Sequence, residues 1–180
     1  MMFNKKIKQI KKITPIRRQG FSIGEVVLSV FVLGIIALSI ITMYVVGLNE
    51  ITDERDNVIA ALLAQEGVEL VRNIRDDNWV TGGNSFNGIG ATTNCSLDYS
   101  DNTCGGDFML NYNGTFYVQG GIDTKFKRRI QIIGSGDNRT VTSLVTWNSS
   151  GNPPMASNIA TCTTGNKCVF SESVLTEWGE

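Results

Sequence analysis

The sequence predicts an α+β fold in which a long N-terminal α-helix packs on an antiparallel β-sheet head. Three observations carry this prediction: an uncharged apolar run near the N-terminus, a helical periodicity that follows it, and short alternating segments in the second half of the chain. We expect a basic segment at 1–20, a hydrophobic transmembrane helix at 21–48, an amphipathic continuation of that helix at 49–78 and a β-rich head at 79–180.

Charge separates the first twenty residues from the rest of the chain. Positions 1–20 hold seven basic residues and no acidic one, and the remainder has nine basic and seventeen acidic residues. By the positive-inside rule the basic segment stays in the cytoplasm and the acidic remainder is exported. The acidic balance argues against a nucleic-acid partner, and the absence of histidine removes the commonest general base and metal ligand. Since no nucleophile–base pair or phosphate loop is present either, we expect no enzyme activity.

The apolar run has the length of a membrane-spanning helix. The stretch from Val26 to Val46 contains 21 residues and no charge, and as a helix it spans roughly 30 Å, the thickness of a bilayer core. Glu25 stands at the head of this run. An ionised carboxylate at the centre of such a helix costs about 2.5–3.5 kcal/mol, and less near the interface. We therefore expect a compensating partner for Glu25; the alternative is a carboxylate that merely snorkels to the membrane edge.

The residues around this carboxylate resemble a known processing motif. The stretch from Arg17 to Leu28, RRQGFSIGEVVL, is similar to the leader of type IV prepilins and type II secretion pseudopilins. The resemblance implies that a prepilin peptidase removes residues 1–20 by cutting after Gly20, that Phe21 becomes the N-methylated first residue, and that Glu25 serves subunit assembly. It also implies a pilin-like fold. The stretch 64–76, AQEGVELVRNIRD, more loosely resembles PilV-like minor pilins and small pseudopilins.

The physical chemistry of the two groups agrees with this resemblance. Cleavage would leave an α-amino group on Phe21, which is mostly cationic at neutral pH. Opposite unit charges 4 Å apart attract by about 4 kcal/mol at an effective dielectric constant near 20. The amine of one subunit could therefore neutralise the Glu25 carboxylate of a neighbour, and the macrodipole favours a carboxylate in the first turns of a helix.

The resemblance implies a function in filament assembly. We expect a minor pilin or pseudopilin precursor that enters the cytoplasmic membrane as a single-pass protein with its N-terminus inside. It would then join an extracellular or periplasmic type IV pilus-like filament. The implied partners are prepilin peptidase, other pilin or pseudopilin subunits, the inner-membrane assembly platform and the membrane itself. The alternative is a monomeric membrane-anchored binding protein that presents its head outside the cytoplasm.

Beyond the membrane segment, periodicity assigns the remaining elements. Apolar and small residues recur at helical spacing from position 60 to 74, and a Gly- and Asn-rich loop follows at 81–106. Asn113-Gly114 predicts a hairpin, and a turn at 134–138 predicts a second one. The predicted strands are Phe108–Tyr112, Thr115–Gln119, Phe126–Ile132, Thr140–Trp147 and Ser173–Trp178.

Four cysteines lie beyond the membrane segment, which favours disulfides in an exported domain. Of the three possible pairings we prefer Cys95–Cys104 with Cys162–Cys168, because each closes a short loop. Zinc binding is the rival reading, but the spacings do not fit it and no histidine supplements the thiols.

Two further groups of polar and charged residues are candidates for a functional site. A Ca²⁺ site would use oxygen ligands around the first cysteine loop, although an exposed polar loop is the preferred interpretation and no cofactor is expected. Its candidate ligands are Asp98, Asp101, Asn102 and Asp107. A basic cluster is interpreted as a solvated strand face, with contact to an acidic neighbour or DNA as the alternative. Its members are Lys125, Lys127, Arg128 and Arg129.

Overall fold

A computed structural model describes residues 20–99, 104, 106–121 and 125–177. Its first element is a helix, α1, which runs from Ile23 to Val80 over 58 residues. No proline interrupts this range. The helix ends in a Schellman motif: the Gly83 N–H donates to the Asn78 carbonyl at 3.2 Å and the Gly82 N–H to the Trp79 carbonyl at 3.0 Å. Gly82 takes a φ of +76°, a conformation that glycine adopts without steric cost.

The chain divides into two compact units, one ending at Gly47 and the other beginning at Leu48. This boundary lies one residue before the predicted end of the membrane helix. We call residues 23–47 of α1 the apolar half and residues 48–80 the packed half. The head is the packed half together with the sheet that follows it.

The head contains one antiparallel sheet of six strands in the order β3-β2-β4-β5-β6, with β1 beside β4. Since β5 covers the whole length of β4 on one side, β1 and β2 share its other side: β1 pairs with residues 130–132 and β2 with residues 126–127. The strands are β1 Thr92–Cys95, β2 Met109–Tyr112, β3 Tyr117–Gln119, β4 Phe126–Ile133, β5 Asn138–Trp147 and β6 Cys168–Thr176.

The packed half lies on one face of this sheet. Two hydrophobic clusters fill the contact, one around Val71, Ile130 and Val141 and the other around Leu63 and Trp147. Small residues on α1 let the helix come close to the strands. At Gly67 an added Cβ would lie 3.1 Å from the Arg128 Cδ atom and would overlap the Ser143 hydroxyl. Alternation of side chains along β4 and β5 places the apolar residues on this face.

A second layer covers the opposite face of the sheet. It consists of irregular chain after β5 and two short 3-10 helices, Ala156–Thr161 and Thr164–Asn166. Leu144, Cys162 and Cys168 form a small buried cluster there, with Ile159 packed against it. The Gln131 side-chain oxygen accepts a hydrogen bond from the Ala156 N–H. The sequence did not predict this layer, because its short elements carry no periodic pattern.

The predicted α+β fold is confirmed, with local differences. The 113–114 hairpin forms, but its loop comprises residues 113–116, because Asn113 Oδ1 accepts from the N–H groups of both Thr115 and Phe116 and holds these residues out of the strand. The prediction of loop throughout 81–106 is wrong at β1, whose polar sequence TTNC gives no strand signal. β6 begins at Cys168, five residues before the predicted start, and Trp178 lies outside the described residues.

Candidate functional site

The N-terminal end of α1 presents the residues that the processing motif singled out. Phe21 is 81% exposed, and apart from the chain neighbours of Gly20 no atom of the described residues lies within 4 Å of the position a Cβ would take on Gly20. The Ser22 carbonyl accepts from the N–H groups of Glu25 at 3.0 Å and Val26 at 3.2 Å, so Glu25 occupies the first turn of the helix. The positive end of the macrodipole therefore faces its carboxylate.

Glu25 has no charged partner within the part of the chain that the structure describes. Its carboxylate is exposed and forms no ion pair there, while its backbone carbonyl accepts a hydrogen bond from the Ser29 hydroxyl at 2.7 Å. Residues 20–99, 104, 106–121 and 125–177 therefore supply no cation to the Glu25 carboxylate.

The apolar half exposes nearly all of its hydrophobic side chains. From Val26 to Val46 the large apolar residues are 46–80% exposed, and the most hydrophobic 18-residue window has a mean hydropathy of 2.8 with none of its residues buried. Among the described residues, α1 is the one helix long and apolar enough to cross a membrane. Contiguous exposed apolar surface on this scale indicates contact with lipid or with other proteins.

The hydroxyl groups of Ser29, Ser39 and Thr42 in the apolar half donate hydrogen bonds to backbone carbonyls of the same helix. The hydroxyl of Ser39 donates to the Ile35 carbonyl at 2.9 Å, and that of Thr42 donates to the Ser39 carbonyl at 2.9 Å. These bonds follow the i−4 and i−3 pattern that lets hydroxyl groups enter an apolar medium. The three interruptions of the apolar run at Ser29, Ser39 and Thr42 are thus compatible with burial in hydrocarbon.

Arg128 lies at the centre of the head and is fully buried. Its Nη1 donates to the Leu63 carbonyl at 3.1 Å and to the Glu66 carboxylate at 3.1 Å, and its Nη2 donates to the Leu97 carbonyl. Burial lowers the pKa of this guanidinium, and the charge of Glu66 opposes that shift. The side chain therefore joins α1 to the segment after β1.

The interpretation of the basic cluster as a solvated strand face is wrong for Lys127, Arg128 and Arg129, which are buried; Lys125 is exposed. Lys127 and Arg129 are each 8% exposed, and they lie under the second layer. Lys127 Nζ donates to the Ser150 and Gly151 carbonyls at 3.2 and 3.1 Å. The Arg129 guanidinium lies 4.6 Å from the centre of the Phe108 ring, and burial lowers its pKa. Lys127 and Arg129 are internal because the second layer covers this face of the sheet, whereas Arg128 is buried against α1 on the other face.

The fourth cation of the cluster, Lys125, also has an internal partner. Its Nζ lies 2.6 Å from Oδ2 of Asp56, a carboxylate on α1 that is almost completely buried. Lys125 itself is exposed, but its ion pair links the start of β4 to α1, and the other three cations are buried.

The four cysteines form the preferred pairs. Cys95 is bonded to Cys104 and Cys162 to Cys168. Each bridge ties irregular chain to a strand end, since Cys95 closes β1 and Cys168 opens β6.

The described part of the candidate Ca²⁺ loop is engaged in backbone hydrogen bonds. Asp98 is buried and accepts from the Gln119 N–H at 2.7 Å, and Asp107 accepts from the Met109 N–H at 3.0 Å. Asp101 and Asn102 lie outside the described residues. Within those residues, no three His, Cys, Asp or Glu side chains group together as a metal site.

Comparison with known proteins adds no relatives: the chain matches no protein-family model, no curated protein and no solved structure at a significant level.

Proposed function

We propose that this chain is the precursor of a minor pilin or pseudopilin, which is processed by prepilin peptidase and assembled into a type IV pilus-like filament. One observation carries the proposal: an exposed, apolar membrane-length helix follows directly on an exposed Phe21 and carries in its first turn a carboxylate, Glu25, that has no charged partner among the described residues. The resemblance of residues 17–28 to prepilin leaders supports the same conclusion.

Assembly rests on two interactions of different kinds. In the bilayer, apolar stems gain no aqueous hydrophobic driving force from meeting one another, because lipid tails are as apolar as leucine side chains. Cleavage after Gly20 frees the Phe21 amine, which pairs with the Glu25 carboxylate of a neighbouring subunit. This directional pair supplies register, and the exposed apolar half supplies contact area once subunits leave the lipid for the filament.

The partners and location follow from this mechanism. The precursor lies in the cytoplasmic membrane with its basic leader inside, where prepilin peptidase and the inner-membrane assembly platform act on it. The mature subunit then joins others in a filament that carries the head into the periplasm or the exterior. The subunit contributes to adhesion, motility, DNA uptake or secretion as a part of the filament, and it needs neither catalysis nor a resident cofactor for this.

Substitution of Glu25 tests the proposal. Glu25→Ala removes the charge that pairs with the neighbouring amine, so we expect normal cleavage of the precursor but at least roughly tenfold less of the variant in sheared filaments, as the loss of an attraction of several kcal/mol requires. Glu50→Ala is the matched control, because Glu50 is an exposed carboxylate on the same helix. It should enter filaments at the wild-type level.

The same experiment separates the proposal from its rival. A monomeric membrane-anchored binding protein would keep residues 1–20 and would be absent from filaments whether or not Glu25 is present. Incorporation of Glu25→Ala at the wild-type level would contradict the charge-pair mechanism.

A further inference from the structure

β6 is an edge strand of the described sheet. It pairs with β5 along its whole length in one unbroken antiparallel register, from Cys168 opposite Thr146 to Thr176 opposite Asn138. No described strand pairs with its other side. An exposed edge of this kind presents backbone donors and acceptors that can pair with an added strand.

The hydrogen-bond pattern identifies which backbone groups face the free edge. The Lys167 carbonyl accepts from the Trp147 N–H at 3.1 Å, and the Glu177 N–H donates to the Asp137 carbonyl at 2.8 Å. Odd-numbered residues around β6 therefore direct their backbone groups towards β5. Because hydrogen-bonded and non-hydrogen-bonded pairs alternate in an antiparallel ladder, the even-numbered residues direct theirs to the free edge.

Both ends of this free edge are already occupied. The Cys168 N–H donates to the Thr163 carbonyl at 3.0 Å, and the Thr176 carbonyl accepts from Arg75 Nη1 at 3.2 Å. Between these ends, the backbone N–H and carbonyl groups of Phe170, Glu172 and Val174 have no partner among the described residues. We call this stretch the open window; it offers six hydrogen-bonding groups.

Side chains give the open window a distinct chemical pattern. Phe170 is 42% exposed and Val174 is 61% exposed, and the exposed Glu172 stands between them. The carboxylate of Glu172 is held in place by the Thr142 hydroxyl at 3.0 Å. Read along the strand, the pattern is apolar, acidic, apolar.

A groove of about 460 Å³ lies beside the window, between β6 and α1. Two of the carboxylates beside this groove already have cations, since Glu66 pairs with Arg128 and Glu69 with Arg72, whereas Glu172 forms no ion pair among the described residues. The Glu172 carboxylate at the open window therefore favours a basic occupant.

We propose that the open window binds an extended strand of another protein, with Lys or Arg opposite Glu172 and apolar residues opposite Phe170 and Val174. The backbone groups would provide affinity, and the side chains directly opposite would provide specificity. A second copy of β6 is a poor occupant, because antiparallel pairing centred on the window would place two Glu172 carboxylates opposite each other. The proposal concerns the head alone and does not depend on filament assembly.

A peptide-binding measurement on the full chain in detergent micelles tests this proposal. The probe is the fluorescein-labelled nine-residue peptide Val-Thr-Val-Thr-Lys-Thr-Val-Thr-Val, in which Val lies two residues on either side of Lys. Its matched control has Glu in place of that Lys. From the size of cross-strand charge effects we expect the Lys peptide to bind roughly threefold to tenfold more tightly in fluorescence anisotropy. The Glu172→Lys variant should reverse this preference.

A backbone variant tests the hydrogen-bonding part. Val174→Pro removes an N–H that faces the free edge and leaves the ladder to β5 intact, so it should abolish binding of the Lys peptide, whereas Val174→Ala should retain it. Equal binding of the two peptides to the wild-type chain would overturn the proposal. So would an unchanged preference in Glu172→Lys, a variant that keeps the edge backbone. Binding of a peptide copying residues 168–176 as tightly as the Lys peptide would overturn the choice of partner.

Discussion

The two halves of α1 differ in whether the chain itself covers their apolar side chains. The packed half buries Ala60, Leu63 and Val71 against strands of the same chain. Gly67 stands where an added Cβ would overlap a side chain of the sheet. The apolar half leaves its large apolar side chains exposed. The difference teaches that the packed half is completed by folding, whereas the apolar half needs lipid or another molecule to cover it.

Charged groups show the same contrast. In the head, the buried Arg128 and Asp56 each have an opposite charge within the chain, at 3.1 and 2.6 Å. At the start of the apolar half, Glu25 has none among the described residues. These two pairs therefore lie within the fold of the head, whereas in the proposed function the Glu25 charge serves assembly.

The largest effect on the head should come from removing the buried cation of β4, Arg128. Arg128→Ala deletes the partner of Glu66 and leaves the Leu63 and Leu97 carbonyls without this donor. We expect a loss of about 3–5 kcal/mol in the free energy of unfolding, measured by urea titration of the detergent-solubilised chain followed by near-ultraviolet circular dichroism.

The control for this prediction is Arg72→Ala. Arg72 forms an exposed i,i+3 pair with Glu69 on the same helix, and such pairs contribute only about 0.2–0.5 kcal/mol. If Arg128→Ala and Arg72→Ala lowered the free energy of unfolding by similar amounts, burial of Arg128 would not make its contribution larger than that of an exposed arginine.

A pair of leucine truncations tests the contrast between the halves directly. Leu63→Ala opens a cavity between α1 and the sheet, where Leu63 is 3% exposed, and should lower the free energy of unfolding of the head by about 2–4 kcal/mol. Leu33→Ala, at a position 68% exposed, should change it by less than about 0.5 kcal/mol. The same urea titration checks both. Equal losses for Leu63→Ala and Leu33→Ala would contradict the claim that only the packed half stabilises the head.

A smaller effect is expected from filling the closest approach of helix and sheet. Gly67→Ala introduces a Cβ that overlaps the Ser143 hydroxyl, and the gain in helix propensity offsets part of this cost. We expect a net loss of about 1–2 kcal/mol in the same titration. In a Ser143→Ala background, which removes the overlapping oxygen, the loss should be smaller. An unchanged loss in that background would show that the overlap is not its cause.

The long helix, the alternating core strands and both disulfides could be predicted from the sequence because each depends on local pattern. Val141, Val145 and Trp147 alternate along one strand, and the cysteines of each pair lie close in sequence. β1 could not be predicted, because its strand conformation comes from pairing with β4 rather than from its own residues.

The role of the basic cluster was hidden for the same reason. Arg128 breaks the apolar alternation of β4, which reads as a solvated face when the strand is considered alone. Its burial depends on carbonyls at Leu63 and Leu97, which are distant in sequence. The broken alternation was itself a signal that a polar group stands in the core. The Glu25 site, in contrast, could be proposed from the sequence because Gly20, Phe21 and Glu25 lie within six consecutive residues.

Peptide mapping by mass spectrometry of the protein isolated from its native membrane tests the central claim most directly. The account predicts that the first residue is Phe21, carrying one extra methyl group on its α-amine, and that no peptide from positions 1–20 is recovered. Recovery of those residues still joined to Phe21 in the bulk of the protein would contradict it, because the amine that is to meet Glu25 would not exist.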